Sequence, residues 1–514
     1  MKSKWPEALD LAGSNLPCRL EGEIADLVVL GEIPKEIDGT FYRVMTDPFA
    51  PPHPGNVPLD GDGNISAFRF ENGRVDMKMR YVETERYMLE RKANKALFGL
   101  YRNPFSHHPC VRAAVDSTAN TNLVLWADRF MALKEGGLPY QVDPHSLGTL
   151  GYDPFGLKDL SKTFTAHPKV DPYTGELVVF GYEAKGLASP DIFVFTLDAD
   201  GVRHDEQWVQ SPWVAPIHDC AITPNWLILC LWPFEANVER MKRGGHHWAW
   251  DYARPATFIV VPRRASTPLP SGWQPGEHRV YEWRNSMLIH TAGAWEEADG
   301  TTLRLETSRV LDNAFPFFPP DDGRMPSPDA QADFVCWTLD LTQPSGPLPD
   351  PEVIFDQPSE FPRVDERFLT QPYDVLFLNV VLPDPNVTHG AMALFQELNG
   401  LAMLRRSTGE VRYFRAGEGS LVQEPIFVPR SSDAPEGDGW VMAMVERRAG
   451  NRNDLVVIDT RDFETAVAIV QLPFHVKAQV HGNWIDQKQL KDRRRLVKSV
   501  DEVKISGLGA LEPL

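Results

Sequence analysis

The stretch DPYTGELVVFGYEAKGLASPDIFVFTLDADG, residues 171–201, sets the fold class. Its two apolar runs, LVVFGY (177–182) and DIFVFTL (191–197), are too short for helices and rich in β-branched and aromatic residues, so they predict buried strands. Turn chemistry brackets them. A DPYTG turn runs from Asp171 to Gly175, and a DADG turn from Asp198 to Gly201. Proline presets φ at the second position of such a turn, and glycine relieves a left-handed one.

The same pattern recurs outward in both directions: LVLWA (123–127), LILCLW (227–232), TFIVVP (257–262), FVCWTL (334–339), WVMAMV (440–445) and DLVVID (454–459). Further turns fall at Thr408–Gly409 and Asp459–Asp462. Helical periodicity is scarce. Many short strands at moderate spacing predict an all-β sandwich, barrel or propeller, and the repeats are too weak to fix a blade number. Residues 240–256 (RMKRGGHHWAWDYARPA) and 313–330 (NAFPFFPPDDGRMPSPDA) predict long ordered loops that either build a binding site or cap the scaffold edge. No linker divides the chain. It reads as one domain over 1–514, with an N-terminal extension at 1–25 and a C-terminal tail at 485–514.

With 514 residues and 42% hydrophobic content, the chain has ample material for a large core. A net charge of -19 argues against nucleic-acid binding, which needs clustered Lys and Arg. The five cysteines form no CxxC pair, so neither a disulfide framework nor a thiolate zinc site is indicated, and free thiols in a reducing cytoplasm are expected. The start, MKSKWPEALDLAG, has no apolar h-region, and no run of about 18 apolar residues suggests a membrane span. Walker, GxGxxG, HExxH and GxSxG motifs are missing, and the Gly61-Asp-Gly63 segment lacks the Glu that would close a calcium loop.

Of the fourteen histidines, nine lie in loops and read as solvated: His53, His107, His108, His145, His204, His246, His247, His278 and His389. The adjacent His246 and His247 should point opposite ways on an extended segment. Four others sit at strand boundaries in apolar surroundings: His167, His218, His290 and His481. Taken singly, each reads as a core histidine, and their spacing does not link them. Converged at one point, four neutral imidazoles suit Fe(II), Zn or Cu, and buried carboxylates behind them would orient the rings and offset the ion's charge. A propeller brings strands from every blade to one axis and can gather such ligands from across a sequence.

The contexts FTAHP at 167, IHDCAIT at 218, IHTAGAWEE at 290 and VHGNW at 481 resemble the four ligand motifs of the carotenoid cleavage oxygenase family. The resemblance runs in order from GEIPKEIDGTFYRV (from Gly31) to Trp484, and includes LDGDGNISAFRF and EPIFVPR. It implies a seven-bladed β-propeller with a dome of loops and short helices over the active-site face. It further implies one Fe(2+) per chain on His167, His218, His290 and His481, with Glu135, Glu360 and Glu424 behind them, and a homodimer. The reaction implied is scission of an alkene by O2 into two carbonyl compounds.

Within the family, STANTNLVLWADRFMALKEGGLPYQVDP (117–144), FGLYRNPF (98–105) and NAFPFFP (313–319) are similar to the lignostilbene and stilbenoid dioxygenases. That likeness assigns Tyr101 and Lys134 to the 4-hydroxyl group of a small aromatic alkene. A buried Lys is liable to a lowered pKa, which helps it accept the phenol proton, so that the phenolate pushes electron density into the alkene. Lys134 and Glu135, as strand neighbours, should face opposite ways. Leu59, Thr121, Phe315 and Phe317 are the expected pocket residues.

The chain departs from the family pattern in three places. Gly293-Ala294 stands where Asn-Ala is usual, Leu59 replaces a bulky aromatic, and His475 replaces an Arg. The leading expectation is cleavage of 4-hydroxystilbenes. Isoeugenol-type propenylphenols or apocarotenoids are the alternatives. A short pocket closed by Phe315, Phe317 and Phe318 would favour phenylpropanoids, and a long tunnel carotenoids. The remaining reading is a non-enzymatic propeller scaffold.

Overall fold

The structure, a computed structural model, describes residues 5, 11, 15–327, 329–383 and 397–497. His389 lies outside these residues. Seven antiparallel sheets of four to six strands, one carrying an added parallel strand, form a seven-bladed β-propeller. A two-stranded ribbon, Phe234–Ala236 with Trp248–Trp250, stands apart from the blades.

Strand formation follows the packing. Middle strands are covered on both faces, so Trp226–Leu231 and Ala256–Pro262 are apolar and buried throughout. Outer strands meet water on one side. In Arg203–Gln210 the exposed residues alternate at His204, Glu206, Trp208 and Gln210. The Asp171 turn forms as its sequence predicts. The Asp171 carboxylate accepts from Tyr173 N at 3.0 Å and Thr174 N at 3.3 Å, while Gly175 takes φ +68°.

The apolar cores lie between blades. Trp226, Phe258, Leu305 and Trp337 share one core across two neighbouring sheets, and Phe68, Met77, Met442 and Leu455 share another. The second of these cores spans the chain ends. Gln479–Asp486 from the C-terminal region pairs with Gly39–Thr46. Reciprocally, Val28–Gly31 pairs with Ala466–Gln471 as the outer strand of the last blade. Gly22–Ile24, placed in the expected extension, is in fact an edge strand of the first sheet, against Arg74–Tyr81.

The innermost strands contact one another around the axis: Asn122–Trp126, Lys169–Asp171, Cys220–Ile222, Thr291–Glu296, Ser359–Val364, Ile426–Pro429 and Gln479–Asp486. Above them sit the ribbon and two short helices, Glu85–Ala93 and Val238–Lys242. The first is capped by Thr84, whose hydroxyl accepts from Tyr87 N at 3.0 Å, and it ends on Asn94 in the left-handed region. Of the two segments expected to be long loops, 240–256 carries the end of a helix and a strand of its own, while 313–330 carries neither among its described residues. Among the described residues no helix is long and apolar enough to cross a membrane.

Trp337 is fully buried, donates from Nε1 to Thr307 Oγ1 at 2.9 Å, and packs its ring 5.0 Å from that of Phe258 on the preceding blade. Replacing it with alanine leaves a cavity between two blades. Trp337→Ala is expected to lower the unfolding free energy by about 3–5 kcal/mol in a denaturant titration.

Candidate active site

The sequence-predicted histidines meet on the axis. His167, His218 and His290 each lie one or two residues before an innermost strand, and His481 is the third residue of Gln479–Asp486. Their Nε2 atoms follow one another at 3.1 Å (His167 to His218), 3.0 Å (His218 to His290) and 3.2 Å (His290 to His481). One ligand atom from each of the four lies within 4.8 Å of all the others. Gly482 follows the last ligand because a Cβ there would come within 2.8 Å of the Phe41 ring and the Tyr42 carbonyl.

Three of the rings are held from behind. Glu135 lies 2.5 Å from His218 Nδ1, Glu360 2.5 Å from His290 Nδ1, and Glu424 3.0 Å from His481 Nδ1. A carboxylate in that position accepts the Nδ1 proton and fixes the tautomer, leaving a lone pair on Nε2. Lone pairs facing one another at 3.0–3.2 Å repel unless a cation lies among them. The donor set therefore fits a metal ion, and all-imidazole sites suit Fe, Zn or Cu.

Burial disfavours charge on the rings themselves. It drives His167 well below its ordinary pKa, helped by the three other histidines, and lowers His481 to about 4 despite Glu424. For His290 burial acts the same way, but Glu360 overrides it and raises the pKa. Burial also opposes ionisation of Glu135 and Glu424, yet His218 in the first case, and Arg363 with His481 in the second, hold both at about 2.

His167 differs from the others. Its Nδ1 is 4.0 Å from Asp219, whose carboxylate is already engaged by Lys169 at 2.7 Å and by Thr291 N at 2.8 Å. The Gly293 departure does not disturb His290: its Glu360 contact is made. A Cβ at 293 would lie 2.9 Å from the Tyr373 ring, so this blade has no room for the usual Asn.

One cavity of about 450 Å³ joins the histidines to Tyr101 and Lys134. Leu59, Thr121, Phe315 and Phe317 all line it. Lys134 and Glu135 follow the strand Arg129–Leu133 and diverge. Glu135 reaches His218, while Lys134 Nζ donates to the Leu59 carbonyl and to Asn120 Oδ1, both at 3.1 Å. An ammonium has three N–H groups, so one remains for a ligand. Lys134 Nζ also sits 4.8 Å from the centre of the Tyr101 ring. Burial lowers the Lys134 pKa, and burial raises that of Tyr101 well above its ordinary value.

The far wall is aromatic. Phe315 stacks on Phe317 with centroids 5.1 Å apart, and Trp232 packs 5.2 Å from Phe315 and 5.1 Å from His218.

Several functional neighbours carry no sequence signal of their own. Asn120 supports Lys134, and Asn56 Oδ1 accepts from Tyr101 N at 3.0 Å. Phe361 takes φ +49° at a bulge in Ser359–Val364 and stacks 5.1 Å from His290. Its only signal is the Pro362 that follows. Three histidines expected in solvent are buried instead. His107 bonds Asp116 at 3.0 Å, while His145 lies 2.7 Å from the Asp492 carboxylate and His247 3.1 Å from that of Glu183. Each pairs with a carboxylate, which lets an imidazole stay buried.

Comparison with known proteins places these features in context. The family model described as "Retinal pigment epithelial membrane protein" matches residues 15–486. "Resveratrol cleavage oxygenase 1" of Botryotinia fuckeliana (strain B05.10) is 68% identical over 100% of this chain and 92% of its own. "Resveratrol cleavage oxygenase 1" of Aspergillus fumigatus is 40% identical over 95% and 98%. The crystal structure of Pseudomonas brassicacearum lignostilbene dioxygenase superposes with a TM-score of 0.87 at 36% identity, covering 94% of this chain and 100% of that one.

Two outcomes follow from the geometry. Removing the charge of Glu360 in Glu360→Gln should lower divalent-metal affinity by about 10–100-fold in a chelator competition. Glu183, which pairs with Arg102 beside Tyr101 and with His247, is held at about 2, with burial opposing and Arg102 and His247 prevailing. A depressed pKa contributes stability that is present above the unfolded value of 4.5 and is lost as pH falls from there towards 2. Unfolding titrations across that window should lose up to about 1.4 kcal/mol per pH unit from this group. Glu183→Gln should flatten that decline.

Proposed function

The chain belongs to the retinal pigment epithelial membrane protein family of carotenoid oxygenases, and from that footing we propose that it is a non-haem iron(II) dioxygenase cleaving the central C=C bond of 4-hydroxystilbenes. The products are two aromatic aldehydes. The reaction balances without an outside reductant: the C=C and O=O bonds break, two C=O bonds form, and both oxygen atoms of O2 are consumed. The observation that carries this reading is a cavity lined by Lys134, Tyr101 and three of the four convergent imidazoles, those of His218, His290 and His481. The 68% identity to a resveratrol cleavage oxygenase supports it further.

His167, His218, His290 and His481 would hold the iron, with Glu135, Glu360 and Glu424 fixing three of the rings. When bound, the iron supplies activation of O2. The protein's own groups prepare the alkene. Nζ of Lys134 and the hydroxyl of Tyr101 grip the substrate's 4-hydroxyl. Tyr101, whose pKa is raised, stays protonated and donates. Burial lowers the Lys134 pKa and so favours its neutral amine, whose two N–H groups stay on the Leu59 carbonyl and Asn120 Oδ1 while the Nζ lone pair takes the phenol proton; the N–H so formed then holds the phenolate. The resulting negative charge is conjugated through the ring to the alkene carbon and makes it a better nucleophile. Trp232, Phe315 and Phe317 exclude water and hold the second ring. A cavity of about 450 Å³ falls within the range of small-molecule sites and suits a two-ring phenylpropanoid. A homodimer, from the family likeness, and a cytoplasmic location, from the five free cysteines, belong to the same proposal.

The test is turnover of a stilbene panel by protein loaded anaerobically with Fe(II) and then given O2. Paired aldehydes from 4-hydroxystilbenes and none from 4-methoxy analogues support the proposal. Equal turnover of both would remove the phenol handle from it, and activity confined to propenylphenols or apocarotenoids would replace the substrate class. Lys134→Met should lower kcat/KM on 4-hydroxystilbenes by about 100-fold or more, a loss on the scale of positioned proton transfer, while metal content stays at one per chain.

A further inference from the structure

The three carboxylates behind the histidines are not equivalent. Glu360 accepts the Nδ1 proton of His290 and, on the same oxygen, Phe361 N at 2.5 Å; its other oxygen, Oε1, is buried and has no partner among the described residues. Glu135 faces His218, with Lys134 on the neighbouring residue. Glu424 is saturated. Its Oε1 accepts from His481 and from Arg363 Nε at 3.1 Å, and its Oε2 accepts from Gly482 N at 2.9 Å and Gln479 Nε2 at 3.3 Å. Among the described residues Arg363 makes the only arginine or lysine ion pair to any of the three, and it is fixed by further bonds to the Gly482 carbonyl at 2.6 Å, Asn483 Oδ1 at 3.1 Å and the Glu366 carboxylate at 3.0 Å.

A carboxylate that shares its charge with a guanidinium pulls less on an imidazole N–H, and the imidazole behind it donates less to a metal. We propose that Arg363 is a positioning residue that neutralises Glu424, making His481 a weaker donor than His218 and His290 and limiting how tightly the cluster holds a cation. Arg363 offsets one of the three negative charges that directly face the imidazoles, although its Nη1 also pairs with the more exposed Glu366 at 3.0 Å. Arg363 thus tunes the ion's charge state while standing two bonds of the hydrogen-bond network away from it. The inference rests on the metal-site reading above, though not on the substrate.

The experiment uses the full chain and cobalt(II) as probe, with affinity read by chelator competition. Arg363→Gln keeps a hydrogen-bond donor and removes the charge. Divalent affinity should then rise about tenfold, because the site becomes more negative, and Arg363→Lys should stay within about threefold of wild type. On iron-loaded protein the ferric/ferrous potential should fall in Arg363→Gln and hold in Arg363→Lys. A merely structural role for Arg363 gives the opposite sign, weaker metal binding, and that result, or an unchanged affinity, would overturn the inference. Arg363→Met provides the same reading if Arg363→Gln does not fold. Wild-type protein that binds neither cobalt(II) nor iron(II) would instead remove the metal site itself.

Discussion

Everything at the axis depends on the ring being shut. Seven blades can point their innermost strands at one line only if the last blade meets the first, and that junction is made by backbone hydrogen bonds between Gly39–Thr46 and Gln479–Asp486. The closing strand is also a functional strand, since it carries His481. Blade packing and metal geometry are therefore one problem. The cores between sheets hold the blades at fixed angles, and those angles hold four Nε2 atoms within a few ångströms of one another. An open scaffold of the same strands would scatter the ligands.

Buried charge governs the rest of the site. Burial opposes protonation of His167 and His481, and carboxylates placed behind His218, His290 and His481 supply negative charge that a cation in front would balance. The same economy of pairing extends outward. Arg363 answers Glu424, Lys169 answers Asp219, and Arg102 answers Glu183. Lys134 departs from this pattern. It is buried beside Asn120, a carbonyl and the Tyr101 ring instead of an ion-pair partner, and this leaves its charge available to a ligand.

Much of this was legible in the sequence, for identifiable reasons. The strands were readable because apolar runs such as LILCLW alternate with turn residues whose chemistry is local, as at Asp171. The ligands were readable through the fixed contexts around His167, His218, His290 and His481, and so were the carboxylates at 135, 360 and 424. Blade number was not readable from periodicity, because the pairing that closes the ring joins residues from opposite ends of the chain. His107, His145 and His247 were misjudged because their partners Asp116, Asp492 and Glu183 are brought to them by folding. Arg363, Asn120 and Asn56 carry ordinary surface-type side chains, and only their burial beside Glu424, Lys134 and Tyr101 gives them a role.

The position of His481 on the closing strand has a consequence for the order of assembly in time. His167, His218 and His290 leave the ribosome long before it does, and in the unclosed chain they form an incomplete chelate. The fourth imidazole joins the other three only as the ring is sealed, so an ion held by all four would be held by the closed topology alone. An ion that binds the closed form and not the open one stabilises closure by mass action. On the proposed reading, metal supply would bear on the lifetime of the fold as well as on its activity.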